Sequence, residues 1–177
     1  MEKDEIKGCT EFRDATIVAA GSSLRGTHSS REALIEAALE MLEKRGLHIL
    51  TQSTPWRSAA WPDPMHPEFR NVLAVIETSL EPLDILTILQ DIEQQFGRIR
   101  HKRNGPRTLD LDLIAVGQTL MTTDTLTLPH PRAHERRFVM GPLAEIAPHW
   151  VHPQLQRTAR ELAATATAGV DAVPTVL

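Results

Sequence analysis

Two aspartates separated by one residue, directly downstream of a run of bases, carry most of the chemistry legible in this 177-residue chain. Residues 97–113 read GRIRHKRNGPRTLDLDL. Arg98, Arg100, His101, Lys102, Arg103 and Arg107 fall in the first part of that stretch, with no acidic residue among them. Asp110 and Asp112 then alternate with Leu109, Leu111 and Leu113. Alternate residues of a strand share a face, so the leucines would enter a core while both carboxylates project together. Their α-carbons would lie about 6.5–7 Å apart, given a rise of roughly 3.3–3.4 Å per residue. That spacing suits two carboxylates sharing a pair of metal ions about 3.5–4 Å apart. Mg²⁺ is the expected metal, because it takes oxygen ligands and is commonly completed by substrate phosphates.

Each half of this segment has a plainer reading. The aspartates could simply solvate an exposed strand, and the bases could cap the C-terminus of the preceding helix. Arg98 alone would serve as the cap, however, and the remaining bases would repel one another without a counter-anion. A basic loop beside a metal site, with Gly105-Pro106 to turn the chain, reads as a lid that closes over polyphosphate. A second constellation, PHPRAHERRF, spans 129–138. His130 and His134 are spaced like a helical zinc pair, but Pro129 and Pro131 argue against a helix and no Cys or third ligand accompanies them. His130 and Arg136 read better as phosphate donors, and Phe138 reads equally as core or as a ligand wall.

Composition narrows the classes. No apolar run approaches the roughly 20 residues of a membrane helix, and the opening MEKDEIKGCTEFRDA has no apolar h-region, so no signal peptide is expected there. A single cysteine, Cys9, excludes an intrachain disulfide and fits a cytoplasmic protein. A net charge of −4 makes the basic run a local exception, and four Phe, three Trp and no Tyr leave little for stacking bases. Nucleic acid and membrane are therefore not expected partners, and a monomer is the simplest assembly.

The elements that must hold these residues can be read in turn. Residues 1–14 look like a flexible leader, 15–156 a single domain, and 157–177 an Ala/Thr-rich tail of uncertain order. A buried strand is expected over 15–20. A helix should follow Ser29-Ser30, with Glu32 completing a capping box and Gly46 ending it. Strands are expected over 49–54, 69–79 and 108–116, and 55–67 reads as a proline-rich loop. The strongest helix starts near Pro82 and ends at Gly97. One of its faces would carry Leu83, Leu86, Leu89 or Gln90, and Glu93, and the neighbouring stripe Ile85, Ile88, Ile92 and Phe96. A short hairpin near 120–128 and a helix over 138–147 complete the reading. The order is that of a split βαβ: an α+β, ferredoxin-like βαββαβ core with an antiparallel sheet and two helices on one face. The other face would be open to a ligand and covered mainly by loops.

Five segments together resemble the bacterial 6-hydroxymethyl-7,8-dihydropterin pyrophosphokinase family of folate biosynthesis. They are GSSLRG at Gly21, PEFRN at Pro67, IEQQFGRIR at Ile92, GPRTLDLDLI at Gly105 and LPHPRAHERRFVMGPLAEIAP at Leu128. The resemblance implies an enzyme that moves pyrophosphate from MgATP to the pterin alcohol and leaves AMP. It implies that Asp110 and Asp112 bind two Mg²⁺ ions and that Arg98 and Arg107 are catalytic. By the same resemblance Gln90, Glu93, Arg100, His130 and Arg136 meet the nucleotide, and Ser58, Phe69, Asn71 and Phe138 meet the pterin. The chain departs from the family at Ser23, where Asn is frequent, and at Asn104, where a tryptophan often precedes GPR. The segment Ala59-Ala60-Trp61-Pro62 departs too, and all three bear on loop contacts. Two other classes compete. A non-catalytic ferredoxin-like module could bind an anion or RNA, and a different metal-dependent transferase could use the paired aspartates.

Overall fold

The structure, a computed structural model, describes residues 12–60, 65–97 and 108–175. The segment 98–107, with Arg98, Arg100, Asn104 and Arg107, lies outside the described residues, as does Trp61. The chain runs through β1 (Thr16–Ser22), α1 (Arg31–Lys44), β2 (His48–Gln52), β3 (Trp56–Ser58), β4 (Phe69–Glu77), α2 (Pro82–Gln95) and β5 (Asp110–Val116). A two-stranded hairpin of β6 (Met121–Thr122) and β7 (Thr127–Leu128) follows, then a 3-10 turn over Ala133–Glu135. The helices α3 (Arg137–Ile146) and α4 (Ala159–Thr165) and the strand β8 (Val173–Pro174) end the described chain.

The main sheet is antiparallel throughout, ordered β5-β1-β4-β3-β8, with β2 pairing β4 beyond β3. Its core is the expected ferredoxin-like α+β arrangement. Alternation along the strands sends Val18, Ala20, Val72, Ala74, Leu111 and Leu113 to one face, where they bury against Leu34, Ala38 and Leu42 of α1 and Ile85, Leu89 and Ile92 of α2. Leu109, Leu111 and Leu113 do enter this layer, as the LDLDL pattern predicts. Helix α2 buries parts of both stripes read in sequence, Leu89 and Glu93 from the first and Ile85 and Ile92 from its neighbour, while Leu83 at the first stripe's edge is 47% exposed.

Four other expectations change. The second face is not covered mainly by loops. Ile17, Leu73, Val75, Ile114 and Ala115 bury there against Val139, Met140 and Leu143 of α3 and Ala159 and Leu162 of α4, so only one end of that face stays open. The cap of α1 is Ser30, whose Oγ accepts from Ala33 N at 3.0 Å, while Glu32 turns away to accept from Arg70 Nε at 2.7 Å. The tail read as uncertain contains α4 and β8. Thr158 and Glu161 form a capping box at the start of α4, a T-x-x-E signal that the Ala/Thr-rich composition obscured. The proline-rich loop likewise contains β3, a strand too short to show alternation in sequence.

Candidate active site

Register places the candidate residues on the open end of one sheet face. Gly21 of β1 lies opposite Asp110 of β5 on one side and Asn71 of β4 on the other. Ala19 lies opposite Asp112, and Ser58 of β3 opposite Phe69. Cross-strand partners share a face, so Asp110, Asp112, Asn71, Phe69 and Ser58 all project to the same side. Gly21 is the floor between the carboxylates and the amide. A Cβ there would stand 3.3 Å from Asn71 Oδ1 and 3.9 Å from Phe69 Cδ1, narrowing the cleft. The sequence carried this glycine inside GSSLRG, but nothing in the motif showed what its bare Cα faces.

At the pterin-implied end, Asn71 and Ser58 are buried together, and Asn71 Nδ2 donates to Ser58 Oγ at 3.1 Å. That bond fixes the amide and turns Oδ1 towards Gly21. Strand β3 is itself clamped from α3. The Glu145 carboxylate accepts from Thr54 N at 2.8 Å, Thr54 Oγ1 at 3.0 Å and Trp56 Nε1 at 2.8 Å. The Trp56 ring lies so close to Gly141 that a Cβ there would fall 2.7 Å from Cη2. Sequence reasoning missed this clamp, because its partners lie about ninety positions apart.

At the acidic end, a bulge in the β1–β5 pairing falls beside Ile114, and the Ile114 carbonyl accepts from His130 N at 2.8 Å. The PHPRAHERRF segment is thereby moored beside β5. His130 Nδ1 accepts from Arg132 N at 3.2 Å, which leaves the ring proton on Nε2. Burial, and then the neighbouring Arg136 and Arg132 charges, push His130 down to about 4 against smaller opposing effects of a backbone hydrogen bond and of Asp110. The ring is therefore a neutral Nε2–H donor at pH 7. Burial also lowers Arg136 from the ordinary arginine range, with Asp112 the largest opposing charge; a guanidinium stays cationic there. Asp110, Asp112, His130 and Arg136 thus form one electrostatic cluster. Arg136 also lies over the half-buried Phe138 ring, 5.7 Å from its centroid, linking the acidic end to the aromatic wall.

Two further nucleotide-implied residues lie on α2. Gln90 is half-buried on α2, in the layer on the opposite face of the sheet. Glu93 is only 2% exposed, and its Oε1 accepts from Leu111 N at 2.7 Å, so its carboxylate holds the edge strand β5. A cavity of about 350 Å³ opens beside Gly97 and Thr108, the two residues that flank 98–107, and there His28 stacks on Phe96 at 5.6 Å.

An α+β fold that sets paired carboxylates, a neutral histidine donor and a guanidinium beside a buried amide and an aromatic ring defines a class. It is equipped to hold a polyanion through metal and cation contacts, with a flat polar heterocycle next to it. The chain belongs to the 7,8-dihydro-6-hydroxymethylpterin-pyrophosphokinase family, whose sequence profile matches residues 17–148. The 2-amino-4-hydroxy-6-hydroxymethyldihydropteridine pyrophosphokinase of Synechocystis sp. is 43% identical over 126 residues, covering 71% of this chain and 64% of the relative. The protein of the same name from Pseudomonas aeruginosa is 36% identical over 157 residues, covering 89% of this chain and 95% of the relative. Among solved structures, a triple mutant of Plasmodium falciparum HPPK-DHPS superposes with a TM-score of 0.67 at 13% identity, over 85% of this chain and 42% of the other, and supports the fold alone. No helix among the described residues is long and apolar enough to cross a membrane.

Proposed function

We propose that this chain transfers pyrophosphate from MgATP to 6-hydroxymethyl-7,8-dihydropterin, giving the pterin diphosphate and AMP in folate biosynthesis. The observation that carries the reading is the joining of two half-sites on one sheet face across Gly21: Asn71 and Ser58 on one side, Asp110 and Asp112 on the other. In this reading the pterin lies between Phe138 and the Asn71–Ser58 pair. The fixed Asn71 Oδ1 offers an acceptor to the ring edge, and Phe69 flanks it. The pterin hydroxymethyl oxygen attacks the β-phosphorus in line. The new O–P bond forms as the bond to the α-phosphate oxygen breaks, AMP leaves, and the alcohol proton passes to solvent.

Among the described residues no three His, Cys, Asp or Glu side chains converge on a metal position. Two strand carboxylates still fit Mg²⁺, which one or two carboxylates hold together with substrate phosphates and water. Asp110 and Asp112 would hold it, and when bound it would neutralise phosphate charge. We take two ions to be bound, as the carboxylate pair suits. His130 Nε2–H and Arg136 donate to the phosphates from the side. Arg98, Arg100 and Arg107, outside the described residues, are assigned to the phosphates on the family resemblance, with Arg98 and Arg107 offsetting charge on the transferred group. Phosphoryl transfer of this kind needs positioning and charge neutralisation more than early deprotonation, so no general base is assigned. Gln90 and Glu93 remain nucleotide contacts in this proposal, with Glu93 Oε1 also bracing β5 through Leu111 N. The protein works as a cytoplasmic monomer, with one catalytic domain.

The two half-sites should separate experimentally. Asp112→Ala should lose turnover by about 10²–10³ or more while retaining pterin affinity. Asn71→Ala and Phe138→Ala should chiefly weaken pterin binding in calorimetric titrations. Unchanged pterin affinity in both of the latter would move the pocket elsewhere.

A further inference from the structure

The C-terminal segment 166–175 joins the two walls between which the pterin is proposed to lie. At its first end it is tied to the turn just before Phe138. Thr167 N and Ala168 N donate to the Glu135 carbonyl at 3.0 and 2.9 Å, and Arg137 N donates to the Ala168 carbonyl at 2.8 Å. The Arg137 guanidinium reinforces the tie by donating to the Ala163 and Ala172 carbonyls. At its other end the segment is tied to the Ser58 strand. Ala59 N donates to Asp171 Oδ2 at 2.6 Å, Val173 pairs with Arg57, and Thr175 N donates to the Pro55 carbonyl at 2.8 Å.

Between these anchors the backbone passes directly against the aromatic wall. Gly169 has φ +63°, a conformation that side chains disfavour. A Cβ at Gly169 would fall onto Phe138 Cδ1 and lie 3.0 Å from Cε1. Two independent requirements therefore converge on glycine, one from the backbone and one from the ring. A tail that only completed the sheet would need neither the approach to Phe138 nor the Asp171 bond to Ala59.

We propose that 166–175 is the back wall of the pterin pocket, with Gly169 setting the position of the Phe138 ring and Asp171 that of the chain beyond Ser58. Both are positioning residues. The inference rests on the proposed assignment of Phe138 and Ser58 to the pterin, and the test separates the two claims. Gly169→Ala, Phe138→Ala, the double variant and Asp171→Ala are titrated with the pterin in the presence of Mg²⁺ and a non-hydrolysable ATP analogue, and with the analogue alone. Gly169→Ala should weaken pterin binding roughly three- to tenfold, the range of a lost aromatic contact, with nucleotide affinity within about twofold of wild type. The KM for pterin should rise more than kcat falls. In the Phe138→Ala background the same glycine change should have almost no further effect on pterin affinity. Asp171→Ala, at an exposed position, should fold normally and show a smaller loss of the same selectivity.

If Phe138→Ala weakens pterin binding but Gly169→Ala and Asp171→Ala do not, the back-wall role is wrong and the pocket stands. If the glycine and aspartate changes weaken pterin and nucleotide equally, the segment is only structural. If Phe138→Ala binds pterin like wild type, the pocket assignment fails and this inference fails with it.

Discussion

Replacing Glu93 by alanine should unfasten the strand that carries both aspartates. Among the described residues strand β5 is the edge of the sheet, and its outward Leu111 N–H meets no further strand there. That N–H is buried and donates to Glu93 Oε1 at 2.7 Å. A bond to a charged acceptor contributes about 1.5–3 kcal/mol, and an orphaned buried N–H adds a desolvation cost of similar kind. Glu93→Ala should therefore cost about 2–4 kcal/mol. At roughly 2–4 °C per kcal/mol for a chain of this size, Tm should fall by about 4–16 °C. Glu93→Gln keeps an oxygen in place and should cost only about 1 kcal/mol. The assay is thermal and urea unfolding of protein free of metal and nucleotide, followed by nucleotide titration below the transition. If Glu93→Ala unfolds like wild type yet loses ATP affinity, the carboxylate faces the nucleotide and the strand-anchor reasoning is refuted.

Two further perturbations follow from the same geometry. Glu145→Ala removes three acceptor contacts at once, from Thr54 N, Thr54 Oγ1 and Trp56 Nε1. It should lower stability by about 1–2 kcal/mol in urea melts and weaken pterin binding; Thr54→Ala, which removes only the hydroxyl contact, should do much less of both. His152 offers a pH test, because burial, with a smaller push from His134, lowers it to about 4 from an ordinary value of 6.5. The folded state then binds fewer protons than the unfolded state between those values. Its contribution is whole above pH 6.5 and is lost as pH falls towards 4, on the order of 3 kcal/mol in all. His152→Asn can still accept from Gln154 N and Leu155 N, which His152 Nδ1 does now. The variant should show a shallower loss of urea midpoint from pH 7 to pH 4.5, and an identical slope would remove His152 from the account.

What could be read from the sequence follows the range over which each signal acts. The LDLDL alternation is local, and it placed three leucines in the core and two aspartates on the opposite face. The helical period before Gly97 located α2 and both its apolar stripes, but not that Ile85 would be buried and Leu83 exposed, because the two are equally apolar and only the sheet decides between them. Strand β3 was hidden because its stability is tertiary: it exists where Trp56 meets Gly141 and Glu145. The tail was misjudged on composition, although Thr158 and Glu161 signalled a helix start. Glu93 carries a role that no motif shows: its Oε1 accepts from Leu111 N at 2.7 Å and so braces β5, a contact between residues 18 positions apart.

The central claim is that phosphate charge gathered at Asp110, Asp112, His130 and Arg136 is delivered, as a diphosphoryl unit, to a pterin held at Asn71. The most direct measurement is the product balance when the protein is incubated with ATP, Mg²⁺ and 6-hydroxymethyl-7,8-dihydropterin. The account predicts AMP and pterin diphosphate in equal amounts, no product without the pterin, and loss of both products in Asp112→Ala. Formation of ADP or free pyrophosphate in place of AMP, or undiminished turnover by Asp112→Ala, would contradict it.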